Sequence, residues 1–157
     1  MKRYIREKVF SWSDQFAVKD ELGNDRYLIR GEIFSLGKKL HILDMLGREI
    51  ASIKQELFTF MPSYHVWVGD ADVAQIVKKW TFLRPKYEIA GLGWEINGDL
   101  WEHRYQIFCG GHPIVSIQKA WMTWGDAYEL DIVDPKDELL ALAVVLAIDC
   151  VLEDNDS

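Results

Sequence analysis

The chain has 157 residues, 49% of them hydrophobic and 13% aromatic, with two cysteines. That is enough apolar surface for one domain with a substantial core, too much for a disordered chain, and too few cysteines for a disulfide scaffold; Cys109 and Cys150 are expected as packed, reduced thiols. The net charge of −7 belongs to the tail: ten acidic residues and one Lys lie from Asp126 onward, whereas fifteen acidic and seventeen basic residues precede it, so anionic partners are not excluded.

The N-terminal "MKRYIREKVFSWSDQF" carries basic residues but no apolar stretch and no small-residue cleavage site. It does not resemble a secretory signal, and a cytoplasmic protein is expected. From there the chain reads as strands. "DRYLIRGEIFSLGKKLHILDMLGREIASIK" has runs of Tyr, Ile, Phe and Leu broken by Gly37 and by the turn signal "DMLGRE", with Gly47 where a hairpin needs positive φ. Similar punctuation occurs at "ELGND", "VGDAD", "AGLG" and "FCGGHP". Period-two runs pass through "FTFMPSYHVWV", "DVAQIVKKW", "RYQIFC", "IVSIQKAWMTW" and "AYELDIV". About ten to twelve short strands are predicted.

Part of the chain repeats itself. "GREIASIKQELFTFMPSYHV" (47–66) aligns without gaps on "GHPIVSIQKAWMTWGDAYEL" (111–130), matching Gly47 with Gly111, Ser52 with Ser116, Ile53 with Ile117, Thr59 with Thr123 and Tyr64 with Tyr128. Upstream, "IRGEIF" (29–34) pairs with "INGDLW" (96–101), and "FAV" (16–18) with "YEI" (87–89). Two related halves, about 16–80 and 87–132, are expected within a single domain spanning 1–157.

The chain closes with "PKDELLALAVVLAIDCVLEDNDS". Asp134 suits an N-cap, Pro135 the first helical position, and Asp137 and Glu138 the positive end of the helix dipole, so a helix over 135–152 is predicted. Leu139 to Ile148 is apolar on every face, ten residues where a membrane-spanning helix needs roughly twenty. Burial inside a barrel of strands is the better home, because an α-helix is about 10–12 Å wide with its side chains and closure also removes exposed strand edges. Asp149 is expected to reach the rim or a polar partner.

The segments "FSLGKKLHILDMLGREIASIKQ", "IVKKWTF" and "SIQKAWMTWGDAYELDI", followed by the apolar C-terminal helix, resemble the LURP-one-related proteins, of the superfamily that includes Tubby C-terminal domains and phospholipid scramblases. The resemblance covers nearly the whole chain. It implies a mainly β fold, a closed antiparallel barrel of about twelve strands around a buried hydrophobic helix. Tubby domains bind phosphoinositides and scramblases move lipids in response to calcium. This chain carries no EF-hand-like acidic loop and no cysteine cluster for acylation.

Catalytic signatures are missing. There is no G-x-S-x-G elbow, no G-x-x-x-x-G-K-[ST] phosphate loop and no H-E-x-x-H pair. "HRYQIFCGGH" brings His103, Cys109 and His112 close in sequence, but the spacing matches no common metal site, so no metal and no cofactor is expected. His41 and His65 read as partly buried strand residues. "KKWTFLRPK" is the closest grouping of cations beside aromatic rings: Lys78, Lys79, Arg84 and Lys86 around Trp80 and Phe82, with Lys38, Lys39 and Lys119 as further basic candidates. Such a patch suits an anionic lipid, a phosphoinositide or another phosphate-bearing ligand. Its alternative is a solvated strand end whose rings pack into the barrel under Lys and Arg stems. A non-enzymatic binding or interaction module is the leading reading, with a protein partner as the other kind of ligand and nucleic acid disfavoured because no block of Lys and Arg is dense enough. An enzyme with a rim site, using His103, His112 and Asp99, and a purely structural scaffold are the alternatives.

Overall fold

The computed structural model describes residues 1–7, 15–34 and 37–154. Residues 8–14 of the N-terminal stretch and Ser35 and Leu36 of the family-like segment lie outside the described residues. Alternation writes the strands. Along Ala71–Trp80 the apolar Val73, Ala74, Ile76 and Val77 punctuate polar neighbours, and Ala74 and Ile76 are buried while the ends of the strand face solvent. Asx turns close two of the hairpins: Asp44 Oδ1 accepts the Leu46 and Arg48 amides at 2.9 Å, and Asp20 Oδ1 accepts those of Leu22 and Asn24. Gly47 and Gly23 then supply the positive φ that each turn requires.

Twelve strands result: β1 (Lys2–Arg6), β2 (Gln15–Lys19), β3 (Asp25–Phe34), β4 (Gly37–Leu43), β5 (Glu49–Gln55), β6 (Ser63–Val68), β7 (Ala71–Trp80), β8 (Pro85–Ala90), β9 (Trp94–Asp99), β10 (Arg104–Cys109), β11 (His112–Met122) and β12 (Gly125–Ile132). Every ladder is antiparallel, strands adjacent in the chain pair with one another except β8 with β9, and β1 pairs with β12. The expected closed barrel is therefore nearly closed. One break remains among the described strands, between β8 and β9. Gly91 stays alongside β7 past the end of β8, so close that a Cβ there would lie 2.8 Å from Val73 O, and the turn to β9 follows only after it.

The aligned segments carry the same pairing. Ala51↔Val68, Ser52↔Trp67, Ile53↔Val66, Lys54↔His65 and Gln55↔Tyr64 in β5–β6 correspond one for one to Val115↔Ile132, Ser116↔Asp131, Ile117↔Leu130, Gln118↔Glu129 and Lys119↔Tyr128 in β11–β12. Ile29↔Ile42 and Gly31↔Leu40 likewise correspond to Ile96↔Ile107 and Gly98↔Tyr105. The correspondence fails at one place. β2 is laddered to β3, whereas its counterpart β8 is not laddered to β9.

Asp134 caps the C-terminal segment, its side chain accepting the Lys136 amide, and a 3-10 turn over Pro135–Asp137 leads into α1 (Glu138–Glu153). All residues from Ala141 to Ile148, and Cys150 to Leu152, are buried in one apolar cluster with the inward side chains of the strands, and α1 touches β5, β6, β7 and β12. Each fully buried Leu, Ile or Val contributes about 1.5–3 kcal/mol relative to exposure. β1 ties down the start of the helix and its neighbouring strand: the buried Arg3 donates from Nε to Glu138 Oε2 on α1 at 2.6 Å, and Tyr4 donates to Glu129 Oε1 on β12 at 2.9 Å.

Antiparallel order sends alternate connections to opposite ends. One end holds the short Gly- and Asp-rich turns 20–24, 44–48, 69–70, 91–93 and 110–111. The other end holds the connections 57–62, 81–84, 100–103 and 123–124, together with Glu7, Gln15 and the C-terminal turns of α1, which Tyr64 and Tyr128 bond there. All six exposed Phe and Trp side chains among the described residues, Phe58, Phe60, Trp80, Phe82, Trp101 and Trp121, lie at this second end.

Candidate functional site

Two features occupy that aromatic end. The first is the β7–β8 hairpin. Thr81 closes it, donating to Arg84 O from its amide at 3.1 Å and from its hydroxyl at 2.5 Å. Because the chain turns within four residues, the side chains at its tip have no sheet to pack on, and Phe82 is 97% exposed. The rings of Trp80 and Phe82 thus face solvent instead of packing into the barrel. Lys78 Nζ sits 5.1 Å from the centroid of the Trp80 ring. Glu88 lies 2.8 Å from Lys79 and 3.6 Å from Lys86, and the Lys79 hydrogen bond first, then the charges of both lysines, hold its carboxyl below the usual range. Lys78, Lys79, Trp80, Arg84 and Lys86 therefore share one hairpin with a single intervening carboxylate. Lys119 pairs with Glu102 at 3.2 Å and Lys38 with Asp154 at 2.7 Å at the same end.

The second feature is a cavity of about 160 Å³, walled by Phe16, Leu100, Trp101, Tyr128 and Leu152 and edged by Glu7, His103, Asp149 and Glu153. The turn after β9 delivers His103 in a left-handed conformation, φ 48°, unusual for a residue with a side chain. Its ring stacks flat on Tyr128, 4.1 Å between centroids. Nδ1 lies 3.2 Å from Glu7 Oε1 and Nε2 lies 3.3 Å from Asp149 Oδ1. Tyr128 donates its phenol hydrogen to Asp149. Burial alone pulls the His103 imidazole toward neutrality, but the hydrogen bond and charge of Asp149, reinforced by Glu7, outweigh it and raise the pKa. Tyr105 Oη, on a side chain 2% exposed, has no hydrogen-bond partner among the described residues.

His103 thus meets partners that sequence spacing did not suggest. His112 follows β10 and lies at the opposite end of the barrel, a six-residue strand away, or roughly 20 Å. Cys109 packs its thiol toward Leu92 O at 4.0 Å, also away from His103. Asp99 turns back to accept the Glu102 amide at 3.2 Å. Among the described residues no group of three His, Cys, Asp or Glu side chains has metal-holding geometry. The one legible signal was Asp149, a carboxylate breaking an otherwise apolar helix. Cys150, beside it, is buried, and burial pushes its thiol pKa well up.

A nearly closed, twelve-stranded antiparallel barrel with one apolar C-terminal helix defines the class of the protein. A solved structure from Arabidopsis thaliana has the same fold, with a TM-score of 0.60 over 95% of this chain and 90% of that one, at 14% identity. The model of the LURP-one-related family matches residues 1–149, and the chain belongs to that family. It is 36% identical, over 98% of its own length and 94% of the relative's, to the uncharacterized protein YxjI of Bacillus subtilis (strain 168). No helix among the described residues is long and apolar enough to cross a membrane.

Proposed function

We propose that the protein is a non-enzymatic binding module that docks weakly, through the aromatic end of its barrel, on an anionic phosphate-bearing surface, with Lys78, Lys79, Arg84 and Lys86 meeting the phosphates. We further infer that two related half-barrels wrap α1 as their common axis, which leaves no central lumen for a substrate and confines binding to the outer surface and the rim. The observation that carries the reading is the gathering of every exposed Phe and Trp among the described residues at the end that also holds the basic hairpin. Amphipathic rings sit well at the headgroup level of a bilayer, and each nearby Lys or Arg adds about 1 kcal/mol of salt-sensitive attraction to anionic lipid.

Sedimentation with vesicles of phosphatidylcholine doped with phosphatidylserine or phosphoinositide tests it. Binding at low salt that weakens at physiological salt, and falls in the variant with Ala at 78, 79, 84 and 86, is expected. Equal partitioning of wild type and variant overturns the headgroup role of the hairpin.

A further inference from the structure

The two aligned halves treat the C-terminal carboxylates of α1 differently. Asp154 receives Lys38 at 2.7 Å, Tyr64 at 2.7 Å and Gln55 at 3.3 Å and borders an open groove beside Phe58 and Phe60. Asp149 receives Tyr128 and His103 and borders the more enclosed 160 Å³ cavity, with Glu7 and Glu153 also on its edge. The halves differ a second time in the strand below. Where the first has Leu40, fully buried and with nothing to satisfy, the second has Tyr105, whose buried hydroxyl has no hydrogen-bond partner among the described residues and feels the field of Asp149.

The walls say what kind of guest. Phe16, Trp101 and Tyr128 offer aromatic surface, and three carboxylates, Glu7, Asp149 and Glu153, stand against the two cationic groups Arg6 and His103. Arg6 is occupied elsewhere, bonding Trp124 O at 2.9 Å and lying over the Trp124 ring. Aromatic faces together with carboxylates recognise a cation, and a cavity of this volume resembles in size those that accept a benzene-sized guest. We propose that this cavity binds a small organic ammonium group, with Trp101 and Phe16 supplying the aromatic faces and Glu7, Asp149 and Glu153 the countercharge. The ammonium competes with the His103 imidazolium for the same two carboxylates. The proposal stands on the cavity itself and does not rest on docking of the aromatic end. The same chemistry is offered by a soluble amine and by the headgroup of a zwitterionic lipid.

His103 reports occupancy. The charged and titratable groups around it are Arg6 and Glu7 at the end of β1, Tyr128 on β12, and Asp149 and Glu153 on α1. A permanently charged guest and the imidazolium proton exclude one another, so by reciprocity each weakens the other. The experiment follows the His103 ring resonances of the full chain by NMR through a pH titration, with choline chloride or with its neutral isostere, in which tert-butyl replaces trimethylammonium. Choline is expected to bind more tightly as pH rises, to lower the His103 midpoint, and to bind about three- to tenfold more weakly to Trp101→Ala, the loss of one cation–π face. Trp101 is half-exposed, so this variant keeps the fold. Equal effects of choline and the neutral isostere, an unmoved His103 midpoint, or a Trp101→Ala variant that binds like wild type each overturns the proposal. Vesicles separate the sources: a shift with free choline alone assigns the soluble amine. A shift with phosphatidylcholine vesicles and not with phosphatidylglycerol vesicles assigns the lipid headgroup. No shift with choline or with either vesicle overturns the site.

Discussion

Tyr64 and Tyr128 occupy equivalent places in the two aligned segments, opposite Gln55 and Lys119 in the corresponding ladders, and each donates its phenol hydrogen to a carboxylate of the same helix, Asp154 and Asp149 respectively. Burial first, then Cys150 and Asp154 for Tyr64 and Asp149 for Tyr128, raise both phenol pKa values far above the ordinary tyrosine range, so both stay protonated donors. Tyr→Phe at either position removes a hydrogen bond to a charged group, worth about 1.5–3 kcal/mol. Tyr128→Phe is expected to cost more than Tyr64→Phe, because among the described residues Asp154 keeps Lys38 and Gln55 while Asp149 keeps His103 alone. Urea unfolding of the two variants checks the order.

Stability is expected to fall as pH rises across the range just above the ordinary imidazole pKa. The folded pKa of His103 is raised relative to the unfolded chain, so its ion pairs with Glu7 and Asp149 contribute fully below about pH 6.5, the unfolded value, and the contribution disappears as pH climbs through the folded one. His103→Gln flattens that slope. Unfolding free energies measured at a series of pH values for both proteins test this, and a slope unchanged by the substitution contradicts it.

Ala143 is fully buried in the middle of α1. Ala143→Asp places an unpaired charge among apolar neighbours and is expected to destabilise by at least about 3 kcal/mol. A chain ended after Asp134 loses the apolar segment that the inward side chains of the strands pack against. It should be insoluble or molten, and cooperative unfolding of a soluble truncation would refute this packing role.

Gly98 has φ 126°, and a Cβ there would lie 2.5 Å from Arg104 O and 2.6 Å from Tyr105 Cα on the neighbouring strand. Gly98→Ala is therefore expected to cost more than about 2 kcal/mol through steric contact added to backbone strain. At Gly47, φ 82°, nothing lies within 4 Å, and Gly47→Ala pays the left-handed conformation alone, about 1–2 kcal/mol. Thermal unfolding of the pair separates the two contributions.

Local chemistry made much of the fold legible in the sequence. Period-two alternation and Asx-Gly turns marked the strands, Asp134 and Pro135 marked the start of the helix, and the apolar run from Leu139 to Ile148 demanded burial, because each of these signals acts within a few residues of chain. The ungapped match of 47–66 with 111–130 anticipated two strand pairs with one register, since pairing follows which side chains must face inward. What only the tertiary structure decided depends on closure. Whether β8 meets β9, and at which end of a strand a residue emerges, depends on how the whole ring curves, and no short stretch encodes that. His103 and His112 look adjacent in sequence yet stand at opposite ends of β10, while Glu7, Tyr128 and Asp149, distant along the chain, converge on His103 because β1, β12 and α1 all present those residues at the same end of the barrel.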